Sequence, residues 1–231
     1  MGDFVDTIIR FLSNPNNQDR LLRMVTQHVY LALLPVVFGI VFAIGLGWIG
    51  TRVPGLRTPT VMVGNLLYTV PSLALFVILP GIIGTRILNP INVVIALTIY
   101  STALLVRPVI DALGSVPGDV LASATAMGYR PVRRFFAVEL PLAVPVLTAG
   151  TRVASASNIS MVSVGALIGV GGLGVLFTDG YSRGFPGEIV IGIVLTLLLA
   201  LAVDFLLVLL RWWFTPWQRA GRSSPAGGEQ V

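Results

Sequence analysis

The chain has 231 residues, 55% of them hydrophobic and 11% charged, with a mean hydropathy of +0.89; soluble domains carry about a quarter charged residues, so a soluble enzyme or scaffold is excluded. Its formal net charge is +5 and every basic residue is arginine; these arginines sit at the ends of apolar blocks, the pattern of cytoplasmic membrane loops, so no nucleic-acid partner is expected. With no cysteine and one histidine, His28, the composition offers no disulfide, no thiol nucleophile and no histidine cluster for a metal.

Residues 1–28 read as an extracytoplasmic or interfacial segment. Phe4, Val5, Ile8, Ile9 and Leu12 recur at helical spacing and predict a short surface helix, interrupted by Asn14-Pro15. Asp3 and Asp6 stand where a signal peptide would be positive, so a cleavable leader is not expected. A transmembrane domain follows over 29–211. Its apolar blocks predict spans over about 29–49, 60–79, 91–110, 142–168 and 188–210, each on the order of 20 residues.

The connections carry their own signals. Gly50 to Pro59, with Arg52 and Arg57, reads as a short loop; Pro80-Gly81 to Pro90 reads as a turn; Thr178 to Gly187 reads as a polar loop. Residues 212–231 read as a cytoplasmic tail. Trp212, Trp213 and Trp217 beside Arg211 suit an aromatic belt, and the Ser, Pro and Gly content of Gly221 to Val231 predicts disorder. Counting arginines places the amino terminus outside and the carboxyl terminus in the cytoplasm, with Arg52, Arg57, Arg107, Arg130, Arg133, Arg134, Arg211, Arg219 and Arg222 inside.

The longest polar interruption, 111–141, predicts two short helices on a cytoplasmic loop. Ser115 and Pro117 start the first, Val120 to Met127 propagates it and Gly128 stops it. The second starts at Pro131, carries Arg133, Arg134, Phe135 and Phe136, and is expected to end before Pro141, whose ring disfavours helix at Leu140. Leu121, Ala124, Met127 and Tyr129 form an apolar knob beside the small residues Ala122, Ser123, Ala124 and Ala126. Composition leaves two readings open, a docking element and an amphipathic connector lying on the membrane.

Three further features bear on function. Gly169-Val170-Gly171-Gly172-Leu173-Gly174 satisfies G-x-G-x-x-G without the strand and βαβ context of a dinucleotide site; a glycine-permitted break or re-entrant turn is expected, with Gly171 and Gly172 along a translocation path. Arg152 and Asp204 fall inside apolar blocks, where a charge needs a partner or a wet surface. They are expected to face the bundle interior on that path, a direct pair being one arrangement. Tyr30, Trp48, Tyr68, Phe76, Tyr100 and Phe177 offer material for a cation-π box, or else pack the core and interface.

Ala122-Ser123-Ala124, then Gly128, then Val138-Glu139-Leu140-Pro141 resembles the EAA loop of bacterial binding-protein-dependent ABC importers. Gly128, Leu140 and Pro141 match in place; Ala122 stands where that family has a glutamate. Val70-Pro71-Ser72-Leu73-Ala74-Leu75, Ala149-Gly150-Thr151-Arg152 and the glycine stretch are similar to the permeases for osmoprotectants. The resemblance implies an all-α type I ABC importer permease fold of about five transmembrane helices with a cytoplasmic coupling helix, in a bacterial cell membrane. It further implies ATPase-coupling roles for Ala122, Ser123, Ala124, Gly128, Leu140 and Pro141.

The implied partners are an ABC ATPase, a second permease subunit identical or related to this one, an extracytoplasmic substrate-binding protein and membrane lipid. No phosphate-loop motif occurs in the chain. ATP with Mg is therefore expected on the partner ATPase, and this chain is expected to bind no cofactor and to be no enzyme. The implied cargo is an osmoprotectant or related quaternary ammonium compound: glycine betaine, choline, carnitine or proline betaine. Alternatives are an importer permease for another small solute such as an amino acid, or a secondary transporter or channel.

Overall fold

A computed structural model describes residues 2–217, and the expected disorder of Gly221 to Val231 lies outside the described residues. The described chain is all helix and turn. Helix α1 (Gly2–Ser13) is followed by α2 (Pro15–Arg52), α3 (Arg57–Thr69), α4 (Ser72–Ile83), α5 (Pro90–Gly114), α6 (Gly118–Ala126), α7 (Pro131–Arg134), a π-turn over Phe135–Glu139, α8 (Leu140–Gly165), α9 (Val175–Ser182) and α10 (Pro186–Phe214). Four helical stretches are long and apolar enough to cross a membrane, and the pair α3 and α4 makes a fifth span if it counts as one broken element.

The surface helix at the amino terminus forms as expected, and Asn14 separates it from α2. The Asn14 side chain accepts from the Asn16 N–H and Pro15 occupies the first turn, where a missing N–H costs nothing. That cap lets α2 run 38 residues, so it begins well before the apolar block at 29 and carries Gln27 and His28 as helix residues.

The second predicted span is not one rod. Pro71 forces Val70 into extended backbone (φ −64°, ψ 131°), which ends α3, and α4 leaves at a 99° bend. The carbonyl of Val70, freed by the break, accepts the hydroxyl of Tyr100. Pro80 and Gly81 also differ from expectation, because they lie inside α4 and the turn comes at Gly84. The polar loop expected from Thr178 to Gly187 is in part helical, its first residues belonging to α9.

Helix α5 is the hub. Of its most apolar stretch, 61% of residues are buried against protein, compared with 6% for α10, whose surface is left to its surroundings. Leu31 and Ala32 of α2, Phe76 and Leu79 of α4, Val93, Leu97 and Tyr100 of α5, and Ile159 and Val162 of α8 form the main core. Lipid gives helices no hydrophobic drive to associate, so close van der Waals approach holds them together. Gly39 permits that approach, since a Cβ there would lie 2.4 Å from the Cβ of Ser101.

Candidate coupling loop and membrane path

The loop between α5 and α8 is built by local chemistry. Ser115 closes α5, and its hydroxyl donates to the Ala112 carbonyl at 2.7 Å. Pro117 starts α6, and Asp119 lies in the first turn, where the helix dipole favours a negative charge. Gly128 then adopts φ +83°, its N–H bonding the Thr125 carbonyl at 2.9 Å while the Tyr129 N–H reaches Ala124 at 3.1 Å. These two bonds are a Schellman cap, and a side chain at Gly128 would be strained in that backbone.

The structure places the predicted coupling residues unequally. Ala122, Ser123, Ala126, Met127 and Gly128 face outward, Met127 being 70% exposed. Ala124 is 2% exposed and packs inward, so it supports the loop without forming part of the expected knob. Leu121 and Tyr129 are half-buried, and Tyr129 stacks under the Arg133 guanidinium, 4.9 Å from its ring centroid.

The second loop helix does not end before Pro141. It runs through to α8, giving one helical stretch from Pro131 to Ile168. A proline has no N–H to donate and its ring collides with the carbonyl four residues back. A π-turn precedes it: the Leu140 N–H reaches back five residues to Phe135, which widens the helix just before Pro141. Leu140 and Pro141 therefore sit at the entry to a span.

That extra residue turns Glu139 inward. It is 4% exposed and accepts from Arg52 at the end of α2 and from Arg134 Nε at 3.0 Å. Arg134 also donates to the Thr125 hydroxyl on α6 at 2.6 Å. At the same end, Arg57 contacts Asp111 at 3.3 Å, beside a groove of about 560 Å³ lined by Asn65, Thr69 and Arg107 among others.

Arg152 and Asp204 come together as a two-pronged pair, Nε to Oδ1 at 2.5 Å and an outer guanidinium nitrogen to Oδ2 at 2.7 Å. They do not face the bundle interior. Each side chain is 41% exposed, at the seam of α8 and α10 on the surface of the chain. A half-exposed charge pair at membrane depth requires water or another polar surface against it.

Gly171 and Gly172 lie in the turn from α8 to α9, preceded by helix, with φ of +95° and +80°. They pack against α2. Gln27 donates to the Val170 carbonyl at 2.7 Å and accepts the Gly172 N–H at 3.2 Å, so one amide side chain matches two backbone groups. His28, fully buried, accepts the Leu173 N–H on Nδ1 at 3.1 Å and donates from Nε2 to the Ile159 carbonyl at 2.9 Å. The backbone donor at Nδ1 and the backbone acceptor at Nε2 select the neutral Nε2–H tautomer.

Of the six aromatics, Tyr68 and Tyr100 alone pair with one another, edge to face at 6.0 Å. Trp48 stacks on Phe135, Phe76 is fully buried, and Phe177 packs on Gly192. The six do not assemble into one box. Among the described residues, no three of His, Asp and Glu converge to hold a metal.

Several residues that matter here were not singled out from sequence. Glu139 stands just before Leu140-Pro141, Asn158 bonds Ser101 at 2.8 Å inside the core, and Arg20 binds Asp179 and Glu188 between α2, α9 and α10. For Asn158 a lone amide in an apolar block is the signal, since such a group is buried only with a partner; Glu139 and Arg20 lie in polar stretches, where the sequence carries no such signal.

Four or five apolar spans with a capped helix on the loop between α5 and α8 define a multi-pass membrane protein. The chain belongs to the family of binding-protein-dependent transport system inner membrane components, which matches residues 39–219. It is 34% identical to the osmoprotectant import permease protein OsmW of Salmonella typhimurium, over 92% of this chain and 98% of that one. It is 31% identical to the carnitine transport permease protein OpuCB of Listeria monocytogenes, over 97% and 100%. Its fold, that of type I ABC importer permeases, is similar to a chain of the MetNI methionine ABC transporter in inward-facing conformations, with a TM-score of 0.74 at 23% identity, covering 87% of this chain and 99% of that one.

Proposed function

We propose that this chain is the permease subunit of an ABC importer that brings osmoprotectants or related quaternary ammonium compounds, such as glycine betaine, choline, carnitine and proline betaine, into the cell. The observation that carries the importer reading is the capped helix α6, which presents Ala122, Ser123, Ala126 and Met127 beyond the spans. A short rigid helix held by a Schellman cap transmits a push where a flexible loop would absorb it. The ATPase on which α6 docks is a separate subunit that uses ATP with Mg; this chain is not an enzyme and binds no cofactor.

Arginine distribution supports an amino terminus outside and a carboxyl terminus in the cytoplasm. Arg52, Arg57, Arg107 and Arg134 gather with Glu139 and Asp111 at the α6 end, whereas Arg20 and Arg183 gather with Asp179 and Glu188 at the other. The half-exposed Arg152–Asp204 pair supports a second permease subunit, identical or related, whose arrival encloses a wet path along α8 and α10. The substrate class rests on the osmoprotectant and carnitine permeases that this chain resembles over nearly its full length. An extracytoplasmic binding protein delivers the cargo.

The test is reconstitution. A tagged chain expressed with its operon neighbours co-purifies an ATPase, and the complex in proteoliposomes accumulates radiolabelled glycine betaine, choline or carnitine only with ATP and the binding protein. Absence of any co-purifying ATPase sinks the importer reading. Uptake of an amino acid in place of every quaternary ammonium compound sinks the substrate class.

A further inference from the structure

Glu139 is a buried carboxylate to which the proposed function assigns no role. It is 4% exposed, whereas Arg52 and Arg134, which grip it, are 33% and 15% exposed. Arg52 is the last residue of α2, and Arg134 also holds the Thr125 hydroxyl of α6 at 2.6 Å. One carboxylate therefore joins the end of α2 to the entry of α8 and, through Arg134 and Thr125, to α6.

Stability is a poor reason for such a cluster. Replacing a buried ion triad with apolar residues of similar volume is often neutral or stabilising, because desolvating the charges offsets their attraction. A directional bond that fixes one arrangement is the better-attested use. Local backbone agrees, since Glu139 lies in the π-turn just before Pro141, and single π-turns inside α-helices gather at functional sites. Trp48 packs over the same turn, with ring centroids 5.6 Å from Phe135, and so links α2 to α8 by apolar contact beside the ionic one.

Resting on the importer reading above, we propose that Glu139, clamped between Arg52 and Arg134, is the positioning residue that makes α6, α2 and α8 move as one body when the ATPase drives α6. Thr125 is the link by which α6 enters the cluster. Without it the loop helix still docks, but its displacement is taken up between α6 and α7 and does not reach the spans.

The test uses the full complex in proteoliposomes, with glycine betaine uptake and ATP hydrolysis measured on one preparation. Thr125→Val keeps the shape of the side chain and removes the acceptor for Arg134. It is expected to lower the glycine betaine imported per ATP hydrolysed about tenfold, the factor that a hydrogen bond to a charged group typically carries, a ratio that does not depend on how much ATPase co-purifies. Thr125→Ser restores the ratio. Glu139→Gln lowers it too, and if that variant fails to accumulate, Thr125→Val decides alone. A wild-type complex that imports nothing sinks the importer reading and this inference with it; a coupled wild type whose Thr125→Val variant keeps its ratio sinks this inference alone.

Discussion

The guanidinium of Arg152 on α8 holds both carboxylate oxygens of Asp204 on α10, and this pair, 52 residues apart in the chain, bridges two antiparallel spans. Each charge at membrane depth is tolerable because the other is there. Arg152→Ala and Asp204→Ala are each expected to lower the unfolding temperature of the detergent-purified protein by more than the double variant does. Exchange of the two, Arg152→Asp with Asp204→Arg, recovers part of the loss. Additive single losses in the double-variant cycle would show that the two residues do not interact.

His28 joins α2 to two separated backbone groups, the Leu173 N–H and the Ile159 carbonyl. His28→Ala strands both in a buried place and opens a cavity, for a cost on the order of 3 kcal/mol. His28→Gln, which retains a donor and an acceptor, costs less. Thermal unfolding of both variants in the same detergent measures the difference, and an equal loss would mean that ring volume, and not hydrogen bonding, holds the turn.

Tyr100 donates to the Val70 carbonyl at the break between α3 and α4. Tyr100→Phe leaves that carbonyl without its partner at membrane depth and is expected to destabilise by about 1–3 kcal/mol. Tyr68 is the internal control, because its hydroxyl lies 3.5 Å from Ser157, at the edge of hydrogen-bonding distance. Tyr68→Phe should unfold at the wild-type temperature.

Gly128 ends α6 with φ +83°, whereas Gly118 starts the same helix without a positive φ; both have open space where a Cβ would sit. Gly128→Ala introduces a left-handed alanine, about 1–2 kcal/mol of local strain, and is expected to reduce ATPase recovered with the tagged chain and ATP-driven uptake. Gly118→Ala should leave both at wild-type levels. Quantified pull-down of the ATPase beside proteoliposome uptake checks the pair, and equal behaviour of the two alanines would discount the cap.

Much of the architecture is legible from one-dimensional pattern. Hydropathy located the five apolar blocks, because crossing a bilayer demands uninterrupted runs of apolar residues. Pro117 and Gly128 bounded the loop helix, because helix starts and left-handed stops are set by neighbours a few residues away; Ser115, expected to start it, caps the end of α5 instead. The bend at Val70-Pro71 was missed although its cause is local: an apolar block scores the same whether straight or broken, and only packing against Tyr100 makes the break tolerable in the membrane.

Sequence alone is enough to show a multi-span membrane protein whose loop helix follows Pro117 and stops at Gly128 and whose pattern resembles importer permeases. Tertiary structure alone decided which polar groups meet. Arg152 finds Asp204 at the surface and not in the interior, His28 holds a turn 145 residues away, and Ala124 turns inward. Glu139 reaches Arg52 because a π-turn rotates it off the regular helical period. Periodicity reports which way a residue faces on its own helix; the partner it faces depends on where a distant helix stops and how closely it packs.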